Sequence, residues 1–279
     1  MKRRGEIAII ACRNAENTAF LIYSQLKNAK LIKTETADFG DGEVCTYLLE
    51  SVRGKDTYIV QNTLSSKNPA YTSRNIIELL LMIDNARRSG AAHITAVLPY
   101  LSYCKQERRQ GRQPASLKLF IDLIKESGAE RLITMDIHAL AANSFSRYII
   151  IESLYSMPFF LDYIKKSKFS GVLVAPDQGA AKNVWNYSKA AGLDMALGYK
   201  CKSPKSRHDF QEQKLLGDAK GRDCLIIDDQ TAGSGTLIGM AKALKAAGAK
   251  SIKAMAAHAL FLGNSEEKFS TANKEGLLV

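Results

Sequence analysis

The chain has 279 residues, 46% of them apolar, which is enough for one large domain or two of moderate size and excludes an extended or disordered polypeptide. Thirty-nine Lys and Arg against 28 Asp and Glu leave a net charge of +11. That balance favours anionic partners: phosphorylated small molecules, nucleic acid or an anionic membrane. The basic residues are scattered and not interleaved with aromatic ones, which disfavours a nucleic-acid surface.

No stretch approaches the roughly 18 apolar residues of a membrane span, and the basic start M-K-R-R-G-E precedes only the short run I-A-I-I-A-C. We therefore expect neither signal peptide nor anchor. Cys12, Cys45, Cys104, Cys201 and Cys224 lie far apart with no C-x-x-C pair, so neither a zinc site nor a disulfide framework is indicated, and a reducing cytoplasm fits best.

Short β-rich runs alternate with helical patterns along the chain. Strands are expected at 7–11, 57–61, 94–99, 131–136, 172–175, 195–199, 224–228 and 252–257. Helices are expected at 16–27, 76–89, 116–127, 158–166, 180–191 and 237–247, several of them ending at a glycine such as Gly90, Gly128, Gly192 or Gly248. Strands separated by helices predict parallel sheets with crossover connections. The phrase G-A-x-x-[IL] recurs after three of these helices and suggests two α/β halves dividing near 145–152, although α/β punctuation also repeats of itself.

Four strand exits carry clustered polar groups. The basic loop from Tyr103 to Pro114, with Lys105, Arg108, Arg109 and Arg112, suits a polyphosphate, or else is a solvated charged turn. In T-M-D-I-H-A, Asp136 and His138 fall on one side of an extended segment, as a metal-binding or orienting pair would, or as a hydrogen-bonded structural histidine would. In V-L-V-A-P-D-Q-G-A, Asp177 follows a strand and Gly179 opens a helix whose free N–H groups would favour an anion; a simple helix cap is the alternative.

The fourth exit, C-L-I-I-D-D-Q-T-A-G-S-G-T, drives a buried run into Asp228 and Asp229 and then into small residues. Carboxylates beside an apolar strand are costly unless they face a cleft with partners. They are suited to accept from sugar hydroxyls, while Gly233, Ser234, Gly235 and Thr236 can wrap a phosphate. The spacing matches neither a P-loop nor a dinucleotide fingerprint.

Taken in order, these stretches resemble the ribose-phosphate pyrophosphokinase (phosphoribosyl pyrophosphate synthetase) family. F-G-D-G-E-V at 39–44, S-V-R-G-K-D at 51–56, I-E-L-L-L-M-I-D-N-A-R-R at 77–88, the K-Q-E-R-R loop and L-Y-S-M-P at 154–158 strengthen the resemblance, which covers nearly the whole chain. It implies an α/β fold of two similar phosphoribosyltransferase-like halves, 1–148 and 149–279, each a mainly parallel sheet flanked by helices. It also implies transfer of a diphosphoryl group from ATP to ribose 5-phosphate with Mg2+, in a cytoplasmic homo-oligomer or a hetero-oligomer with a paralogue, without nucleic acid or membrane.

By the same resemblance, Phe39, Asp41, Gly42 and Glu43 bind adenine together with a neighbouring subunit, and Lys105 and Gln106 bind the ATP phosphates. His138 and Asp177 meet magnesium, and Lys200 and Lys202 are catalytic. Asp228 and Asp229 hold the ribose hydroxyls, and Ala232, Gly233, Ser234, Gly235 and Thr236 hold the 5-phosphate. Departures are Lys105 and Lys202 in place of arginines, Ala232 and Gly233 in place of Asp and Thr, and an early end at E-G-L-L-V that implies a shortened second half. These departures also admit a catalytically weak regulatory paralogue; a phosphoribosyltransferase fits the F-G-D-G-E segment less well.

Overall fold

The structure is a computed structural model that describes residues 5–65, 68, 70–109, 111–137, 148–202, 211–231 and 233–278, with backbone alone at 200–202, 211 and 212. The chain divides into two compact units, Met1–Leu154 and Tyr155–Val279.

Unit 1 contains β1 (Ile7–Ala11), α1 (Glu16–Ser24), β2 (Ala29–Ile32), β3 (Thr34–Asp38), β4 (Val44–Leu48), β5 (Asp56–Val60) and α2 (Tyr71–Arg88). Then follow β6 (His93–Val97), α3 (Ser116–Ser127), β7 (Arg131–Met135) and β8 (Ile150–Leu154). Six strands form one sheet in the order β2-β1-β5-β6-β7-β8, and β3 and β4 form a separate antiparallel hairpin. Every pair in the six-stranded sheet is parallel. Because β8 pairs with β7 from Ile150 to Leu154, this segment belongs to the first unit.

The period-2 alternation of a strand splits the core in two. Ile10 and Ile59 point into the cluster with Leu79 and Met82 of α2 and Phe120 and Ile124 of α3. Their neighbours Ile9 and Val60 point to the other face, against Ala19 of α1. Helices thus cover both faces, and chain order reverses direction between β1 and β5.

Unit 2 contains α4 (Met157–Lys166), β9 (Val172–Ala175), α5 (Ala181–Ala191), β10 (Asp194–Lys202) and β11 (Gln211–Leu216). After these come β12 (Asp223–Thr231), α6 (Gly235–Ala246), β13 (Ser251–Ala259) and α7 (Ser265–Lys274). The sheet order is β11-β10-β9-β12-β13, parallel except where β11 folds back on β10. Val174 and Ile226 face Met240 and Leu244 of α6, while Leu173 and Ile227 face Phe160 of α4 and Val184 of α5. Ala272 of α7 and Leu277 beyond it complete the first of these clusters. The reversal here falls between β9 and β12, and in open α/β sheets ligands bind outside the carboxyl ends of strands at such a point.

The repeated G-A phrase has a local cause. Gly90, Gly128 and Gly248 all take positive φ, at 83°, 125° and 83°. In each case the next residue's N–H returns to a carbonyl five residues back: Ala91 to Ala86, Ala129 to Ile124 and Ala249 to Leu244. That closure satisfies orphan carbonyls at a helix end, and glycine adopts it without Cβ strain. Among the described residues, no helix is long and apolar enough to cross a membrane.

Candidate active site

In unit 2, β12 emerges from four consecutive buried residues, Cys224 to Ile227, into the half-buried Asp228 and Asp229. The Asp229 N–H donates to Asp228 Oδ1 at 2.9 Å. Burial pushes the Asp228 carboxyl up from 3.8 to about 7, helped by the charge and hydrogen bonding of Asp229 and by the charge of Asp177. The three carboxylates therefore share one neighbourhood, in which the charges of Asp229 and Asp177 raise the cost of ionising Asp228. It is built to receive hydrogen-bond donors or a cation.

Asp177 follows β9 through Pro176. Its Oδ1 accepts from the N–H of Gly179 at 2.9 Å and of Ala180 at 3.3 Å, two residues ahead of α5. Of the two readings of this stretch, free N–H groups for an anion or a simple cap, these bonds favour the cap, because the carboxylate two residues past the strand takes the N–H groups of Gly179 and Ala180. Among the described residues, no group of three His, Cys, Asp or Glu could by itself hold a metal ion. The carboxylates still suit magnesium, which is commonly held by one or two of them and completed by phosphate oxygens and water.

At the end of β12, Thr231 Oγ1 donates to the Gly233 carbonyl at 2.7 Å and closes the turn. Ser234, 3% exposed, stands at the head of α6, which begins at Gly235, two residues earlier than the sequence pattern suggested. Among the described residues no side chain caps this helix, so its first N–H groups can meet an anion. Ser234, Gly235 and Thr236 also border an open groove of about 1410 Å³ with Tyr199, Gln213 and Gly239.

Gln213 sits directly opposite Lys200 in the β10–β11 pairing, so the register brings the backbone of Lys200 beside this turn. Lys202 is the last residue of β10, opposite Gln211. Two glycines permit the approach. A Cβ on Gly198 would lie 2.4 Å from Met240 Sδ and 2.6 Å from the Pro176 carbonyl oxygen, and one on Gly239 would lie 2.3 Å from Gln213 Oε1. Gln213 was not anticipated; its Nε2 donates to the Pro176 carbonyl at 3.4 Å. Only the strand pairing reveals it, since nothing in Q-E-Q-K-L-L marks it locally.

In unit 1, Phe39, Asp41, Gly42 and Glu43 form the tip of the β3–β4 hairpin. Phe39 N–H donates to the Glu43 carbonyl at 2.9 Å, Gly42 N–H to the Phe39 carbonyl at 3.0 Å, and Glu43 N–H to Asp41 Oδ1 at 3.0 Å. Gly42 takes φ 92°, a value that disfavours any side chain. All four are exposed, and the Phe39 ring is 50% open.

Lys105 and Gln106 lie on the connection from β6 to α3. Gln106 Oε1 accepts from Ser116 Oγ at 2.7 Å and its carbonyl accepts from the Leu117 N–H at 3.3 Å, which ties the loop to the first turn of α3. Lys105 is exposed. Asp136, past β7, is held at φ 41° with its N–H on the Leu154 carbonyl at 2.8 Å, a conformation that costs energy for a residue other than glycine. His138 and Ala232 lie outside the described residues.

A doubly wound sheet with paired carboxylates and a small-residue turn at its reversal point defines a phosphoribosyltransferase-type α/β protein. Residues 7–128 match the N-terminal domain of ribose phosphate pyrophosphokinase, and residues 161–275 match the phosphoribosyl transferase domain. Curated relatives named ribose-phosphate pyrophosphokinase include one from Chlorobaculum tepidum, 35% identical over 98% of this chain and 82% of its own. Another, from Vibrio cholerae, is 35% identical over 95% and 82%. The crystal structure of phosphoribosylpyrophosphate synthetase from Mycobacterium smegmatis superposes with a TM-score of 0.84 at 27% identity, covering 95% of this chain and 85% of that one. The chain belongs to the ribose-phosphate pyrophosphokinase family.

Proposed function

We propose that the protein transfers the β,γ-diphosphoryl group of ATP to the C1 hydroxyl of ribose 5-phosphate, yielding 5-phosphoribosyl 1-pyrophosphate and AMP for nucleotide synthesis. The observation that carries the reading is the meeting of Asp177, Asp228 and Asp229 with the Gly233–Thr236 turn at the reversal point of a phosphoribosyltransferase-type sheet. Asp228 and Asp229 accept from the ribose 2- and 3-hydroxyls, and those donors favour the ionised form that burial disfavours. Ala232, Gly233, Ser234, Gly235 and Thr236 surround the 5-phosphate, with the head of α6 supplying N–H groups.

The C1 hydroxyl oxygen attacks the β-phosphorus and gives up its proton to solvent, the bond from that phosphorus to the bridging α,β-oxygen breaks, and AMP departs with that oxygen. The ammonium groups of Lys200 and Lys202 offset charge on the migrating group. Phe39 stacks on adenine, Asp41 and Glu43 accept from its amino edge beside Gly42, and Lys105 and Gln106 contact the phosphates. His138 on the nucleotide side and Asp177 on the ribose side would hold magnesium, which when bound would supply neutralising charge to the phosphate oxygens. The exposed Phe39 turn supports an adenine site completed by a second copy in a homo-oligomer, and the reading places the protein in the cytoplasm.

The test is product analysis. Incubated with ribose 5-phosphate, ATP and magnesium, the purified protein is expected to release AMP in equal amount with phosphoribosyl pyrophosphate. No AMP above that of a Lys200→Ala control would overturn the reading.

A further inference from the structure

The two units share one plan, and strand register extends the comparison to single residues. In unit 2 the penultimate residue of β9, Val174, pairs with Ile226; in unit 1 the penultimate residue of β1, Ile10, pairs with Ile59. Both pairs face the helix that follows the second strand. Three residues beyond Val174 stands Asp177, and three beyond Ile10 stands Arg13. Asp228 and Asp229 follow Ile226 at the steps where Gln61 and Asn62 follow Ile59.

At the reversal point of unit 1, one guanidinium and two amides therefore replace three carboxylates. The amides are tied into the fold: Gln61 Nε2 donates to the Asn75 carbonyl at 3.1 Å, and Asn62 Nδ2 to the Asn14 carbonyl and Thr18 Oγ1, both at 3.0 Å.

Arg13 sits at the centre of a charged chain. Glu78 of α2, 1% exposed, accepts the Arg13 backbone N–H at 2.7 Å and the Thr36 hydroxyl at 3.4 Å through Oε1. Among the described residues its Oε2 is buried without a hydrogen bond, 3.6 Å from the Arg13 guanidinium. That guanidinium grips Asp38 through two N–H groups, at 2.6 and 3.1 Å, and Arg74, one turn before Glu78, also pairs with Asp38. Asp38 ends β3 and adjoins Phe39.

The β3–β4 hairpin is a sheet of its own, so strand hydrogen bonds do not fix it to the main sheet. Its body is tethered by Thr34 Oγ1 to the Ala11 carbonyl at 3.1 Å and by Asn85 Nδ2 to the Thr46 carbonyl at 2.9 Å. Asp38 ties it down next to its tip.

We propose that Glu78, acting through Arg13 and alongside Arg74, is a positioning residue that fixes Asp38 and so orients the Phe39 turn for nucleotide. This rests on reading Phe39–Glu43 as the adenine-binding turn. The crevice that takes a phosphorylated sugar in unit 2 is, in unit 1, an anchor for the nucleotide hairpin. Half-exposed ion pairs add little to stability, whereas displacing a binding group by about an ångström can cost about a hundredfold in function.

The test compares wild type with Asp38→Asn and Asp38→Glu by calorimetric titration with ATP and by steady-state rates. Asp38→Asn is expected to weaken ATP affinity and raise the KM for ATP about tenfold. The kcat and the KM for ribose 5-phosphate stay within about twofold, and Asp38→Glu restores most of the affinity. Should Asp38→Asn melt below the assay temperature, Glu78→Gln, which removes the charge beside the Arg13 guanidinium while keeping an oxygen for the Arg13 N–H and Thr36 hydroxyl, must show the same split. Equal ATP affinity in wild type and variant, or parallel loss for both substrates, overturns the anchor alone. A wild-type protein that takes up no ATP overturns the anchor together with the reading it rests on.

Discussion

Replacing Asp228 by Asn removes the charge at the centre of the ribose-facing edge while keeping an oxygen to accept the Asp229 N–H now held at 2.9 Å. Folding raises the Asp228 carboxyl from 3.8 to about 7. A raised acid contributes stability that is complete below the unfolded value and is lost as pH climbs through the folded one, so the wild type loses stability between about pH 4 and 7. At about 1.4 kcal/mol for each tenfold in proton affinity the upper bound is ~4 kcal/mol, and partial solvent access reduces it to roughly 2–3 kcal/mol. Asp228→Asn, which cannot ionise, should therefore melt roughly 5–10 °C above wild type at pH 8 and close to it at pH 4. The same change removes a charge-assisted acceptor for a sugar hydroxyl, worth about 1.5–3 kcal/mol, so kcat/KM for ribose 5-phosphate should fall about 10- to 100-fold with the KM for ATP within about twofold. Differential scanning fluorimetry across pH and initial rates in each substrate supply both numbers. An Asn variant no more stable than wild type at pH 8, or one that uses ribose 5-phosphate undiminished, would refute the reasoning.

Two further changes probe the surroundings. Gly198→Ala places a methyl group 2.6 Å from the Pro176 carbonyl oxygen, which cannot yield without moving the exit of β9; it should cost about 1–3 kcal/mol in chemical denaturation and reduce kcat at least tenfold by displacing the strand that carries Lys200. Asp177→Asn retains the oxygen that caps Gly179 and Ala180, so it should melt like wild type while needing about tenfold more magnesium for half-maximal rate; an unchanged magnesium requirement would restrict Asp177 to its capping role.

Much of this was legible in the chain. The runs I-A-I-I-A and V-L-V-A declare central strands because both faces are covered by helices, and β1 and β9 have the limits expected from the sequence. The strands that pattern alone misses are at edges or outside the main sheets. A-K-L-I, I-I-E-S-L and Q-E-Q-K-L-L carry polar residues because solvent meets one side, and T-E-T-A-D with V-C-T-Y-L packs as a hairpin on α2 with little apolar alternation. The helix S-E-E-K-F-S-T-A-N-K was missed for the same reason, burying only Ser265 and Ala272.

The candidate site divides similarly. Asp228 and Asp229 stood out because an apolar strand leading into paired carboxylates is a local contradiction that only a binding cleft resolves. Arg13 and Glu78 are 65 positions apart, and Gln213 acts through a strand partner, so no window of sequence contains their meaning. Whether the Gly179 N–H is free or capped is left open by the sequence, because the pattern shows an acid before a helix but not which way its carboxylate turns.

The central claim is that a diphosphoryl group moves intact from nucleotide to sugar. ATP labelled in its β-phosphate, supplied with ribose 5-phosphate and magnesium, tests this most directly. The account predicts that the label leaves with phosphoribosyl pyrophosphate while the α-phosphate stays in AMP; label retained in ADP, or absent from any sugar product, would contradict it.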